Sequence, residues 1–222
     1  MIDSGVVNIC FHGIGRPNRE LEPGEASYWV DADSYRSILD EITGWPAVQI
    51  SFDDGNESDV RIGLPEICDR GLTATFFPLA GRLGAVGSLS CEDVGEIARH
   101  GMTIGTHGMV HRSWRGMDPV TREVELVTAR QRLADAAGAP VTEAACPLGR
   151  YDRRLLSVLR ELGYRHVYTS DQRVASAGAW LQPRFSVRSH DTAETLRERV
   201  LARPGVTKRV WRGVAKARQR LR

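Results

Sequence analysis

The sequence predicts an α/β fold in a single domain, a closed or partly closed barrel of parallel strands with helices outside it. Three observations carry that expectation. Short apolar runs alternate with longer stretches of helical period. The alternation repeats six or seven times along the chain, which points to a parallel sheet. The first run is not followed by a glycine-rich phosphate loop of the kind that opens a doubly wound sheet, so a (β/α) barrel is preferred. With 222 residues, 41% hydrophobic and 26% charged, the chain can bury one sizeable core and is too apolar to be read as disordered.

The elements follow in order. A strand is expected at Val6–Phe11, a helix from about Asp33 to Ile42 and a strand at Ala47–Phe52, the strands being runs of apolar, β-branched and aromatic residues. Helix 59–70 places Ile62 and Ile67 on one side, and strand Thr73–Leu79 follows it. Helix 90–100 opens with Ser90 as N-cap and Asp93 three residues on, a capping-box spacing, and closes at Gly101. Strand Met102–Thr106, helix 119–137 closed by Gly138, strand 142–146, helix 152–162 closed by Gly163 and strand 165–169 complete the rhythm. The long segment Gly13–Asp31 carries no such pattern and reads as a connection.

Polar residues suited to catalysis fall at the carboxyl ends of these strands: His12 after the first, Asp53 and Asp54 after the second, His107 after the fourth. In a parallel barrel those ends open on one mouth, so residues far apart in sequence converge there. Asp-Gly is a common turn, and a pair of histidines at i, i+4 is common on surfaces, so neither signal is diagnostic alone. Together, Asp54, His107 and His111 make a two-histidine, one-carboxylate set with open coordination positions, and Asp53 is left over as a spare carboxylate.

Ser51-Phe52-Asp53-Asp54-Gly55 resembles the Thr-Phe-Asp-Asp-Gly motif of the polysaccharide deacetylases, carbohydrate esterase family 4, and His107-Gly-Met-Val-His111 resembles that family's His-x-x-x-His. The resemblance spans roughly residues 6 to 190 and implies a distorted (β/α)7 barrel. It further implies hydrolysis of the acetyl or other acyl group of an N-acetylated sugar, Asp53 as general base, and a divalent metal on Asp54, His107 and His111. Zinc is the expected metal, and cobalt, nickel, manganese and iron are compatible with the same ligands.

Three departures from the family pattern shape further expectations. Ala144-Ala145-Cys146-Pro147-Leu148-Gly149 is similar to the family's Phe-Arg-Pro-Pro-Tyr-Gly without its Arg and Tyr. The Leu148 backbone N–H is expected to serve the oxyanion, and Arg184 or Arg150 to replace the arginine that steadies the base. Near the C-terminus Ser186-Val187-Arg188-Ser189-His190 matches the family's Leu-x-His strand poorly, whereas Cys10-Phe11-His12 ends the first strand. That placement resembles the circularly permuted subset containing poly-N-acetylglucosamine deacetylases and makes His12 the expected general acid, with His190 as the fallback. Finally, the Asp- and Trp-containing flanking motif is reduced to Tyr168-Thr169-Ser170-Asp171.

The four cysteines form no CxxC pair, which argues against a zinc ribbon or a disulfide framework. The first residues run into the apolar stretch without a basic leader, and no run of about 18 apolar residues occurs. A cytoplasmic protein is expected. Residues 1–203 are assigned to the barrel and 204–222 to a basic tail, since Arg203 to Arg222 hold eight Lys or Arg and no Asp or Glu. Val206, Val210, Val214 and Leu221 near helical spacing make this tail an amphipathic candidate for peripheral contact with an anionic membrane or for docking on protein. Nucleic acid is not an expected partner, because neither a base-stacking motif nor a basic body accompanies it. Two other functions stay open on sequence: a metal- or glycan-binding barrel without catalysis, and an amidohydrolase acting on a non-sugar amide.

Overall fold

A computed structural model describes residues 5–202. Seven strands, β1 (Gly5–Phe11), β2 (Val48–Asp54), β3 (Ala74–Pro78), β4 (Thr103–Ile104), β5 (Glu143–Ala145), β6 (His166–Thr169) and β7 (Leu181–Ser186), run parallel, and sequence neighbours are neighbours in space. β7 returns to pair with β1, with Asn8 opposite Arg184 and Cys10 opposite Ser186. Between β4 and β5 the closure is a single-residue bridge: the Thr106 N–H donates to the Glu143 carbonyl at 2.9 Å, and the Ala145 N–H to the Thr106 carbonyl at 2.9 Å. The result is the expected distorted (β/α)7 barrel in one domain.

The helices are α1 (Ala32–Thr43), α2 (Leu64–Asp69), α3 (Cys91–Arg99), α4 (Pro119–Glu123), α5 (Ala129–Ala137), α6 (Arg153–Glu161) and α7 (Ala193–Leu201). Wide π-helical turns at Asp59–Gly63 and Val124–Thr128 lead into α2 and join α4 to α5. The Ser90–Asp93 capping box forms at the start of α3, and Gly138 ends α5 in the left-handed conformation.

Strand alternation sorts the barrel into two chemistries. Val7, Ile9 and Phe11 of β1, Ile50 and Phe52 of β2, Phe76 of β3 and Phe185 of β7 join the main core with Ile38, Leu39 and Ile67 from the helices. Phe52 stacks on Phe76 at 4.6 Å and on Phe11 at 5.6 Å between ring centroids, so the β1–β3 register is held by aromatic pairs on this outer face. The intervening residues meet inside the barrel, where polar groups pair beside a small apolar cluster of Phe77, Ala145 and Tyr168: Asn8 donates to Gln182 at 2.9 Å, and Arg184 donates to Ser51 and Asp53.

Two regions differ from the sequence reading. β7 and α7 fall where no element was expected: Leu181-Gln-Pro-Arg-Phe-Ser does alternate apolar with polar residues, but it has no β-branched residue and includes Pro183, which cannot donate to a ladder. The segment Gly13–Asp31 is no linker. It forms a parallel two-residue pairing of Gly13–Ile14 with Trp29–Val30 and a 3₁₀ turn at Glu25–Tyr28, and its residues line the mouth of the barrel. The basic tail, residues 204–222, lies outside the described residues. Among the described residues no helix is long and apolar enough to cross a membrane.

Candidate metal centre

Successive residues of a strand ordinarily face opposite sides, yet Asp53 and Asp54, the last two residues of β2, both line one cavity of about 350 Å³. The backbone explains this. Asp54 has φ 75° and Gly55 has φ 72°, so the chain leaves the strand through two left-handed residues that swing the second carboxylate to the side of the first. Aspartate visits this region more readily than most side chains, but holding a non-glycine residue there still costs about 1–3 kcal/mol, strain of the kind found at functional sites.

His107 and His111 are joined by a tight turn rather than a helix. Gly108 sits at φ 91°, and a Cβ there would lie 2.4 Å from Glu125 Oε2 and 2.9 Å from Trp114 Nε1, so only glycine fits. Buried Glu125, between α4 and α5, accepts the Met109 N–H at 2.8 Å and fixes the turn from behind. The His107 Nδ1 lies 2.9 Å from the Ala145 carbonyl. A carbonyl only accepts, so Nδ1 carries the proton and Nε2 keeps its lone pair. That Nε2 is 3.7 Å from Asp54 Oδ1, and the His111 Nε2 is 3.9 Å from the same oxygen.

These atoms fit a divalent cation. Asp54 Oδ1 is buried and has no hydrogen-bond partner, an arrangement costly for a carboxylate unless something positive sits against it. Metal–ligand bonds of about 2.1 Å in tetrahedral geometry put donors about 3.4 Å apart, close to the observed separations. Burial, acting against the attraction of Asp53 and Asp54, holds the His107 imidazolium below its ordinary pKa and favours the neutral ring that a metal requires. A second group, Cys10, His12 and Asp53, is equally close-set. There, however, the Asp53 charge is already balanced by the paired Arg184 guanidinium, whereas Asp54 has no such partner among the described residues.

Arg184, projecting from β7 and fully buried, grips Asp53 with two parallel hydrogen bonds of 2.6 Å. Burial alone would raise the Asp53 carboxyl, but the guanidinium, helped by His107 and His12, holds it well below the usual carboxylate range. Of the two arginines considered from sequence, Arg184 makes this pair, while exposed Arg150 lines the cavity. Leu148 is at the rim in a Pro147–Gly149 turn whose residues Leu148 and Gly149 both have positive φ, 58° and 61°. His12 lines the cavity at the end of β1 with its ring 4.7 Å from that of Tyr28 and its Nδ1 buried without a partner. His190 is exposed on the turn after β7 and is not among the cavity residues.

The structure therefore brings together Asp53, Asp54, His107, His111, His12, Leu148 and Arg184, and leaves His190 outside. Glu22, Glu125 and Tyr28, which also shape the site, carry no signal in the sequence. Glu22 and Tyr28 belong to the patternless 13–31 segment, and Glu125 reads as one more charge on a helix.

A model of the polysaccharide deacetylase family matches residues 40–167. Bacillus subtilis YxkH, a protein ascribed to the polysaccharide deacetylases, is 27% identical over 156 residues, which is 70% of this chain; the matched part is about half the length of YxkH, 53%. Among solved structures, the deacetylase PplD of Streptococcus pyogenes, in complex with acetate, superposes with a TM-score of 0.76 at 18% identity, over 89% of this chain and 99% of PplD. IcaB from Ammonifex degensii gives a TM-score of 0.71 at 20% identity, over 90% and 98%. At these identities the two structures establish a shared fold.

Proposed function

The chain belongs to the polysaccharide deacetylase family, and from that membership we propose that it hydrolyses the amide of an N-acetylated sugar with the help of a divalent metal, releasing acetate. The observation that carries the reading is the orphaned, buried Asp54 Oδ1 facing two imidazole Nε2 atoms, beside a second carboxylate kept ionised by Arg184. Bound by Asp54, His107 and His111, a divalent cation, zinc by preference, would supply Lewis acidity that polarises a carbonyl and acidifies water.

The chain's own groups supply the rest. Asp53, fixed in orientation by Arg184, takes the proton of the attacking water. The same pairing keeps Asp53 ionised, and so able to accept a proton. As the water oxygen bonds to the amide carbon, the Leu148 N–H at the rim is the donor assigned to the developing oxyanion. The C–N bond then breaks as His12 gives a proton to the leaving nitrogen, freeing acetate and a sugar amine. The Tyr28 ring packs 4.7 Å from that of His12 in the same cavity and is itself covered by the Arg188 guanidinium, 4.8 Å above it.

Acetate release from N-acetylglucosamine oligomers, lipid-linked sugars and nucleotide sugars, each with and without a chelator, tests the reading. Chelator-sensitive release from at least one sugar is expected. A stoichiometric metal with no release from any substrate would mark a binding barrel, and release confined to non-sugar amides an amidohydrolase. His12→Ala is expected to lower kcat about 10²- to 10⁴-fold, the range for losing a general acid, while metal content stays at the wild-type level. An unchanged rate would remove His12 from the reaction.

A further inference from the structure

The two imidazoles of the metal centre are held in different ways. His107 donates its Nδ1 proton to a neutral backbone carbonyl, whereas the Nδ1 of His111 lies 2.8 Å from the carboxylate oxygen Oε2 of Glu22. Glu22 does not come from a barrel strand. It stands in the 13–31 segment, 89 residues from His111 in sequence, and is fastened there on several sides. Its other carboxylate oxygen pairs with Arg82, on the 3₁₀ turn Ala80–Arg82 that follows β3. Its N–H donates to Glu25 Oε2 at 2.8 Å. Glu25 is in turn buried against Arg19, whose guanidinium also reaches Asn56 Oδ1 at 2.7 Å, two residues past Asp54. The turn carrying Arg82 is bound to the histidine loop as well, through Ala80 N–H to Gly108 O at 2.9 Å and Gly81 N–H to Met109 O at 2.8 Å.

We propose that Glu22 is a positioning residue for the cation: by accepting the Nδ1 proton of His111 it fixes the tautomer and turns the Nε2 lone pair toward Asp54. The inference rests on the reading of Asp54, His107 and His111 as metal ligands. Its physical basis is that an imidazole whose far N–H is bound to a carboxylate is both oriented and made a stronger donor than one bound to water. His111 needs this more than His107, because it is partly exposed and no strand backbone holds it, whereas His107 is buried against β5. The Arg19–Glu25 pair and Arg82 thus act as the mount for a single carboxylate, which gives the patternless 13–31 segment a task in the chemistry.

The test is a competition titration of Zn²⁺ between a chelator of known affinity and the full-length protein in its wild-type, Glu22→Ala and Glu22→Gln forms. The Glu22 side chain is 43% exposed, so both variants should fold and unfold like the metal-free wild type. Removing such an outer partner typically weakens metal binding about 10- to 100-fold, and that is the loss expected for Glu22→Ala. Glu22→Gln keeps an acceptor oxygen without the charge and should fall between the other two, a graded rescue that a merely structural role would not produce. A Glu22→Ala affinity within about twofold of a wild type that binds Zn²⁺ overturns the assignment. A wild type that does not bind Zn²⁺ at all instead overturns the metal-centre reading on which it rests.

Discussion

Arg184→Met should lower the midpoint of thermal unfolding by roughly 6–20 °C and abolish turnover. The guanidinium is fully buried inside the barrel, and both of its terminal nitrogens are bound to Asp53. Removing one partner of such a pair leaves the other charge buried and uncompensated, at a cost of about 3–5 kcal/mol. In a domain of this size each kcal/mol is worth about 2–4 °C. The double variant Asp53→Asn, Arg184→Met removes both charges and should regain much of the midpoint, because a buried pair often contributes little over a neutral replacement, yet remain without turnover. Scanning fluorimetry and acetate release on the three forms decide the matter; a single Met variant melting within about 2 °C of wild type would sink the argument. The sign of the pH dependence follows from the same pair. Asp53 is held below the ordinary carboxylate value of about 3.9, so its stabilising contribution is complete above that value and drains away only as the pH falls below it.

His107→Ala should leave the protein with far less than one metal per chain and reduce turnover by more than about 100-fold, beyond the range seen when only an outer partner is lost. The side chain is buried, faces Asp54 with Nε2 and is anchored by Nδ1 to β5, a placement that its truncation to alanine removes. Thermal shift gives an independent reading. A ligand at about 100 times its Kd stabilises by about 2.7 kcal/mol, so saturating Zn²⁺ should raise the wild-type midpoint by roughly 5–11 °C and the variant's by almost nothing. Metal analysis showing wild-type occupancy in the variant would contradict the ligand assignment.

Most of the barrel was legible because its outer face obeys simple rules. Apolar runs such as Val6–Phe11 and Thr73–Leu79 mark strands, and Ser90, Gly138 and Gly163 mark helix ends. The interior hides from the same rules. It mixes Asn8, Ser51, Asp53, Gln182 and Arg184 with Phe77 and Tyr168, and β7, though it alternates, has no β-branched residue and contains Pro183, which weakens its strand signal. Arg184 was for that reason only one of two candidates, and no local pattern separates it from Arg150. The candidate ligands were readable because each lies in a short motif, Asp54 and His107 at or just past strand ends and His111 four residues on. Glu22 and Glu125 were not, since what they do depends on a tertiary approach that nothing within either segment encodes.

The joint between β4 and β5 carries a consequence of its own. Elsewhere around the ring, neighbouring strands share two or more residues of register, but here one threonine spans the gap, and the next residue along is His107, whose imidazole is tied across the same gap to Ala145. The most thinly stitched edge of the cylinder thus coincides with the proposed ligand His107. A contact that tightens His107 would on this geometry also suture the wall, tying the proposed ion grip to the local integrity of the cylinder.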